Sequence, residues 1–265
     1  IDEATRTWTT EGFLKAVQAV YDYTGSTVGA VYCAGQGGDQ GTRAIVNNMY
    51  GGTFTDAAHT KYTADSAENI QALQKLVDMK PAIAFDASLA GGDEATEFAK
   101  GNLAMAFCWN GATHNNNLET IGDSFEVMPM AFPSQAGTDV QLCGGIWGFG
   151  IFDNGDAARI DAAKTFIKYF ADSAATADAV KAANYFAVRD TAEGADLSTI
   201  WADNAIMAEY NVLMPLLGDY YQVTTGWAEA RTAWWNMLQQ VGASDGSVEA
   251  ITAAVETYVN QANGK

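Results

Sequence analysis

The sequence predicts an α/β chain whose last third is dominated by helices, and three observations carry that reading. Through the first half, apolar residues spaced three and four apart alternate with short continuous apolar runs. Beyond Asp153 only the helical spacing persists, and Gly-rich breaks separate the elements throughout. At 265 residues and 48% apolar, the chain can form one large or two small domains without disulfide or metal support.

The first helix begins at Trp8-Thr9-Thr10-Glu11, where Phe13, Leu14, Val17, Val20 and Tyr21 supply one apolar face, and it ends near Gly25. Val28-Gly29-Ala30-Val31-Tyr32-Cys33 follows as a short buried strand. Gly35-Gln36-Gly37-Gly38-Asp39-Gln40-Gly41 is a loop feeding a helix over 42–50, which Gly51-Gly52 stops. Asp65-Ser66-Ala67-Glu68 carries an N-cap with a glutamate three residues on, and Ile70, Leu73, Leu76 and Val77 supply one apolar face of that helix. A helix over 94–100 precedes a predicted strand over 103–108, and two more strands are predicted over 125–130 and 146–152. Helical faces then follow at Ile160, Ala163, Phe166, Ile167 and Phe170, and at Val248, Ile251, Val255, Tyr258 and Val259.

Thirty-two Asp and Glu against fourteen Lys and Arg give a formal charge of −18, which repels phosphate backbones and excludes nucleic acid as a partner. Charged residues are only 17% of the chain and aromatic ones 11%, a balance suited to neutral polar partners. The longest apolar run, 103–109, falls far short of the ~18–20 residues that span a bilayer. The chain opens on Ile1 without a basic and apolar leader, which reads as a mature or trimmed form. Cys33, Cys108 and Cys143 read as small buried fillers, with one bridge plus one free thiol as the alternative.

Most catalytic signatures are missing. Gly35-Gln36-Gly37-Gly38 lacks the Lys-Ser or Lys-Thr of a phosphate loop. His59 and His114 have no ligand-spaced carboxylate or cysteine, so each reads as a surface or loop residue and no metal is expected. Asp153-Asn154-Gly155-Asp156 has calcium-loop oxygens but reads as a turn into a helix. No Gly-x-Ser-x-Gly elbow is present, and a glycosidase-type carboxylate pair stays open because its spacing exists only in three dimensions.

What stands out is aromatic residues beside small or polar ones: Trp109-Asn110-Gly111, Gly144-Gly145-Ile146-Trp147-Gly148, Tyr220-Tyr221, and Trp227 with Arg231 one turn later. A flat ring packs against the C–H face of a sugar while nearby amides and charged groups bond its hydroxyls. Core filling is the competing role for each ring. It is the preferred one for Trp234-Trp235, whereas ligand binding is preferred for Trp227, at a helix start beside Thr224-Thr225-Gly226.

Taken in order, these segments resemble the family 1 extracellular solute-binding proteins of ABC sugar importers, the group that includes maltose-binding proteins. Trp8-Thr9-Thr10-Glu11-Gly12-Phe13 is similar to the family's Trp-Thr-x-Asp/Glu-x-Phe helix start. Tyr50-Gly51-Gly52-Thr53-Phe54, Tyr62-Thr63-Ala64-Asp65-Ser66 and Ala72-Leu73 resemble its Gly-Gly loop and the helix beyond it. Gly101-Asn102-Leu103-Ala104-Met105 with Asn110-Gly111, then Met128-Pro129, Phe132-Pro133, Gly144-Gly145, Phe166-Ile167 and Gly246-Ser247-Val248-Glu249-Ala250, continue collinearly. Trp227-x-x-x-Arg231-Thr232-Ala233 looks like the helix start of maltose binders, where the Trp stacks on sugar and the Arg supports the cleft. Asp39 is similar in position to an acidic acceptor of sugar hydroxyls, and Trp147 to a residue lining the cleft from the other lobe. Trp109 departs from the pattern, since relatives more often carry the aromatic after Asn-Gly, where Ala112, Thr113 and His114 stand here.

The resemblance implies a type II periplasmic-binding-protein-like fold: the second lobe plus part of the first, with the helix-rich C-terminal third. Residues 1–143 would form the second lobe's α/β core, 144–190 would return to the first lobe and hinge, and 191–265 would complete the second lobe. Most of the first lobe would be missing, so that lobe, a second chain or a rearranged packing should cover the apolar face near Phe166. The implied function is carbohydrate binding, with an oligosaccharide preferred, for uptake through ABC permease subunits, without catalysis or cofactor. Its expected contacts are Gln36, Asp39, Arg43, Trp109, Asn110, Trp147, Tyr221, Trp227 and Arg231. The expected location is extracellular or periplasmic, with tethering through an absent N-terminal lipid anchor. A glycan-processing hydrolase with an acidic cleft and a non-binding permease-docking lobe are the alternatives.

Overall fold

The computed structural model describes residues 1–35, 39–145, 148–218 and 226–264, with only the backbone of Asp39. In chain order its elements are α1 (Thr10–Thr24), β1 (Gly29–Tyr32), α2 (Asp39–Tyr50), α3 (Ala67–Asp78), β2 (Ile83–Asp86), α4 (Gly91–Ala99), α5 (Gly111–Asn116), α6 (Leu118–Ile121), α7 (Ala157–Asp172) and α8 (Thr176–Ala182). The short strands β3 (Thr191–Ala192) and β4 (Ala195–Asp196) follow, then α9 (Ala205–Leu213), a 3₁₀ turn (Met214–Leu216), α10 (Trp227–Ala243) and α11 (Val248–Ala262). The described chain divides into a core unit, Ile1–Trp109, Asn117–Gly144 and Leu213–Lys265, and a second unit, Asn110–Asn116 and Gly145–Val212.

In the core unit the helix ends follow their sequence signals. The Thr9 hydroxyl accepts the Gly12 N–H to cap α1, and Gly25, left-handed at φ 67°, closes it by donating to the Tyr21 carbonyl. Ser66 caps α3 and Ser247 caps α11 in the same manner. β1 is buried along its whole length and pairs parallel with β2, Gly29 opposite Ile83 through Tyr32 opposite Asp86. Around this pair lies one apolar core, with Phe13, Val17, Ile45, Met49, Leu73, Leu76, Trp234, Leu238, Ile251 and Val255 from α1, α2, α3, α10 and α11.

Three predicted strands do not form as read. Over 103–108, Ala104 and Met105 both donate to the Val28 carbonyl, and Phe107 and Cys108 donate to the carboxylate of Glu94. A side chain thus takes the place of a neighbouring strand, and the regular ladder is lost. Residues 125–130 run irregularly, with Phe125 packed edge-on against Phe98 at 5.8 Å. Of 146–152, the first two lie outside the described residues and 148–152 is irregular and exposed. Conversely, β2 carries no predictive pattern: it is four residues long and only Ile83 is buried.

Gly41 places α2. A Cβ there would collide with the Phe107 carbonyl oxygen and stand 2.6 Å from the Tyr32 hydroxyl, so helix and loop backbones meet directly. Gly41→Ala is expected to cost about 2 kcal/mol despite alanine's better helix propensity, read as a lower urea midpoint. Further along α2, Asn48 donates to the Gln141 carbonyl and accepts its N–H, both at 2.8 Å. This pins residues 141–142 beside a parallel bridge between Leu142 and Leu217.

In the second unit, Asp153, Asn154 and Asp156 form the turn into α7 that was expected, with Asp156 capping the helix by accepting from Ala158 and Arg159. Asn115 bonds Asn184 and Asn204, and the Trp201 indole donates to the Tyr185 carbonyl at 2.8 Å. α7 has no buried residue. Phe149, Phe166 and Phe170 contact one another at 5.0–6.2 Å while Phe166 stays 55% exposed and Phe152 90% exposed. Within this chain the apolar face near Phe166 is therefore open to solvent.

Candidate ligand site

The site grows from the start of α10. Gly226, left-handed at φ 72°, turns the chain so that Trp227 is the first helical residue, and it provides no side-chain cap. Two turns on, Trp234 lies on the same face but is 1% exposed, and its indole N–H donates to the Thr42 hydroxyl of α2 at 2.9 Å. Trp234 anchors α10 to α2, whereas Trp227 is only half-buried. Trp235, as expected, packs against the core, partly buried.

Arg43 lies next to Thr42. Its side chain is fully buried, and its guanidinium carbon lies 4.6 Å from the Trp227 ring and 4.7 Å from Phe54. Phe54 is edge-on to Tyr62 at 5.5 Å, Trp234 at 5.7 Å and Trp227 at 6.4 Å, and is tilted over Tyr258 at 6.2 Å. A desolvated cation against an aromatic face is worth about 2 kcal/mol, so the guanidinium and both rings brace one another. Sequence reasoning offered Arg43 as a direct ligand contact; in the structure its side chain is fully buried against the Trp227 and Phe54 rings.

A second locus lies on α4. Glu94 is fully buried, and its carboxylate accepts the N–H groups of Phe107 at 2.6 Å and Cys108 at 2.9 Å. Burial pushes its pKa up to about 8, against the lowering effect of those two hydrogen bonds. One turn later Phe98 packs edge-on against Trp109 at 4.8 Å. One helix therefore fixes both the backbone before Trp109 and its ring. Asn110 is exposed, and its side-chain oxygen accepts from the Thr113 N–H and hydroxyl, which commits it to the start of α5.

Of the remaining expected contacts, Arg231 is half-buried on α10. Gln36, Trp147, Tyr221 and the Asp39 side chain lie outside the described residues. Sequence reasoning missed Phe54, Thr42 and Glu94. Glu94 left a usable trace, since it shares the α4 face of buried Phe98 four residues on, a place where a carboxylate needs buried donors.

His114 corrects another expectation: it is 9% exposed on α5, and burial lowers its pKa against the raising influence of Glu209. All three cysteines are free; Cys33 is buried, and burial together with Asp86 raises its thiol to about 11. Among the described residues, no three His, Cys, Asp or Glu side chains gather as a metal site, and no helix is long and apolar enough to cross a membrane.

The family described as bacterial extracellular solute-binding protein matches residues 2–209. The chain belongs to that family. No curated protein matches this solute-binding protein significantly. Among solved structures, it is similar to the cyclic alpha-maltosyl-1,6-maltose binding protein of Arthrobacter globiformis, with 21% identity and a TM-score of 0.71. It is also similar to the GacH receptor of Streptomyces glaucescens GLA.O, solved unliganded and with acarbose, with 17% identity and a TM-score of 0.71. A third is an ABC transporter solute-binding protein of Agrobacterium radiobacter K84 in complex with ribitol, with 19% identity and a TM-score of 0.68. Each match covers 97% of this chain but only 65%, 64% and 64% of the respective neighbour. The shared fold is therefore the periplasmic-binding-protein-like one that the motifs implied.

Proposed function

We propose that this solute-binding protein takes up a neutral carbohydrate, an oligosaccharide, and delivers it to an ABC permease without catalysing a reaction. The observation that carries this reading is Trp227, a half-buried indole at the first turn of α10 whose ring is braced by a buried guanidinium. A rigid flat ring suits the C–H face of a sugar, and the small share of charged residues, 17%, suits a neutral ligand. The neighbours whose structures are described with acarbose or as binding a maltosyl-maltose lend support by fold. Gln36, Asp39, Trp109, Asn110, Trp147, Tyr221 and Arg231 are proposed to complete the contacts.

The protein is proposed to work outside the cytoplasmic membrane, tethered by an N-terminal lipid. Its α7 face is proposed to be covered by a first lobe or a second chain, since large open apolar patches are rare on monomers. Sedimentation of the 265-residue chain is expected to show self-association that Phe166→Ser with Phe170→Ser weakens several-fold.

Calorimetric titration with maltotriose and other neutral oligosaccharides, followed by chromatography of the mixture, tests the function. Heat of binding with intact sugar is the expected result. Released products would point to a hydrolase, and neither heat nor products would point to a docking lobe.

A further inference from the structure

Resting on that reading, we propose that Arg43 is the positioning residue of the sugar site, setting the plane of the Trp227 indole from behind. A charged side chain is an expensive way to fill a core, because replacing a buried ion by an apolar residue of similar size is often neutral or stabilising. Arg43 is nonetheless fully buried, with its guanidinium carbon 4.7 Å from the Phe54 centroid and 4.6 Å from that of Trp227, in the corner these two edge-on rings make. The position calls for such a brace. Trp227 opens α10 directly after a left-handed glycine, and its ring is only partly buried against the core. Phe54 is 4% exposed and contacts three further aromatic residues, so it is a fixed wall. The guanidinium, flat and weakly hydrated, transmits that rigidity to the open ring. A ring already fixed in its bound orientation loses less freedom on binding, which raises affinity without a further contact.

The test is a double-mutant cycle on maltotriose affinity, using Arg43→Met and Trp227→Ala singly and together. It is joined by the indole N–H resonances of the free protein, with Trp227 assigned through Trp227→Phe. Arg43→Met is expected to weaken binding about fivefold to thirtyfold in the presence of Trp227 and less than twofold in the Trp227→Ala background. The Trp227 resonance should shift or broaden, while that of Trp201, whose indole N–H is held by the Tyr185 carbonyl, stays in place. Arg43→Lys, which keeps the charge but not the planar stack, should perturb the Trp227 resonance likewise and serves if the Met variant does not fold. Equal losses in both backgrounds, or an unmoved Trp227 resonance, would overturn the assignment. Should the unaltered protein bind no tested sugar, the functional reading fails, and the indole resonances alone decide whether Arg43 positions the ring.

Discussion

Phe54→Ala is expected to lower the unfolding free energy of the core unit by about 3–5 kcal/mol, the range for deleting a buried phenylalanine. Phe54 is 4% exposed and touches Tyr62, Trp227, Trp234 and Tyr258 through its ring. These partners come from the loop after α2, from α10 and from α11, so no single shift closes the hole. The substitution also strips one of the two rings from the buried Arg43 guanidinium, leaving the charge less compensated. Urea unfolding followed by tryptophan fluorescence measures the loss. A change under about 1 kcal/mol would mean that the surrounding aromatic residues do not form the rigid block described.

The second large effect depends on pH and comes from Glu94. Its folded pKa, about 8, lies above the ordinary 4.5, so the folded state holds this proton more tightly than the unfolded chain does. The stabilisation from that proton is complete below about pH 4.5 and is lost as pH rises through about 8. The difference is on the order of 4 kcal/mol across the window. Glu94→Gln cannot ionise. It also leaves one of the N–H groups of Phe107 and Cys108 without its acceptor, which costs about 1–3 kcal/mol at every pH. Urea midpoints at pH 5, 7 and 9 should therefore fall more steeply for the unaltered protein than for Glu94→Gln. Parallel curves would show that the carboxylate does not titrate in this range.

Where the sequence states a boundary chemically, the fold was legible. Thr9 caps α1 where its helix start was read, a cap within 65–66 opens α3 as expected, and Gly25 ends α1 in the left-handed conformation only glycine adopts cheaply. β1 was legible, and its ladder partner is the backbone of β2. β1 formed as read, but the equally apolar 103–108 did not, because Glu94 supplies acceptors that no local pattern assigns to it. The site was partly legible for the same reason. Trp227 stood out as an aromatic at a helix start, but the meeting of Arg43 with Phe54 and Trp227 joins three separate segments, and nothing local distinguishes a buried arginine from an exposed one. His114, read as a surface or loop residue, is buried on α5, which its spacing did not encode.

The braced indole at the start of α10 is proposed to hold a neutral sugar. Paired calorimetric titrations of the unaltered protein and Trp227→Ala with the best-bound oligosaccharide test it most directly. Loss of a stacked ring, valued at ~1–3 kcal/mol by analogy with base stacking, predicts affinity about fivefold to 150-fold weaker with the fold retained. Equal affinity in the two proteins would contradict it.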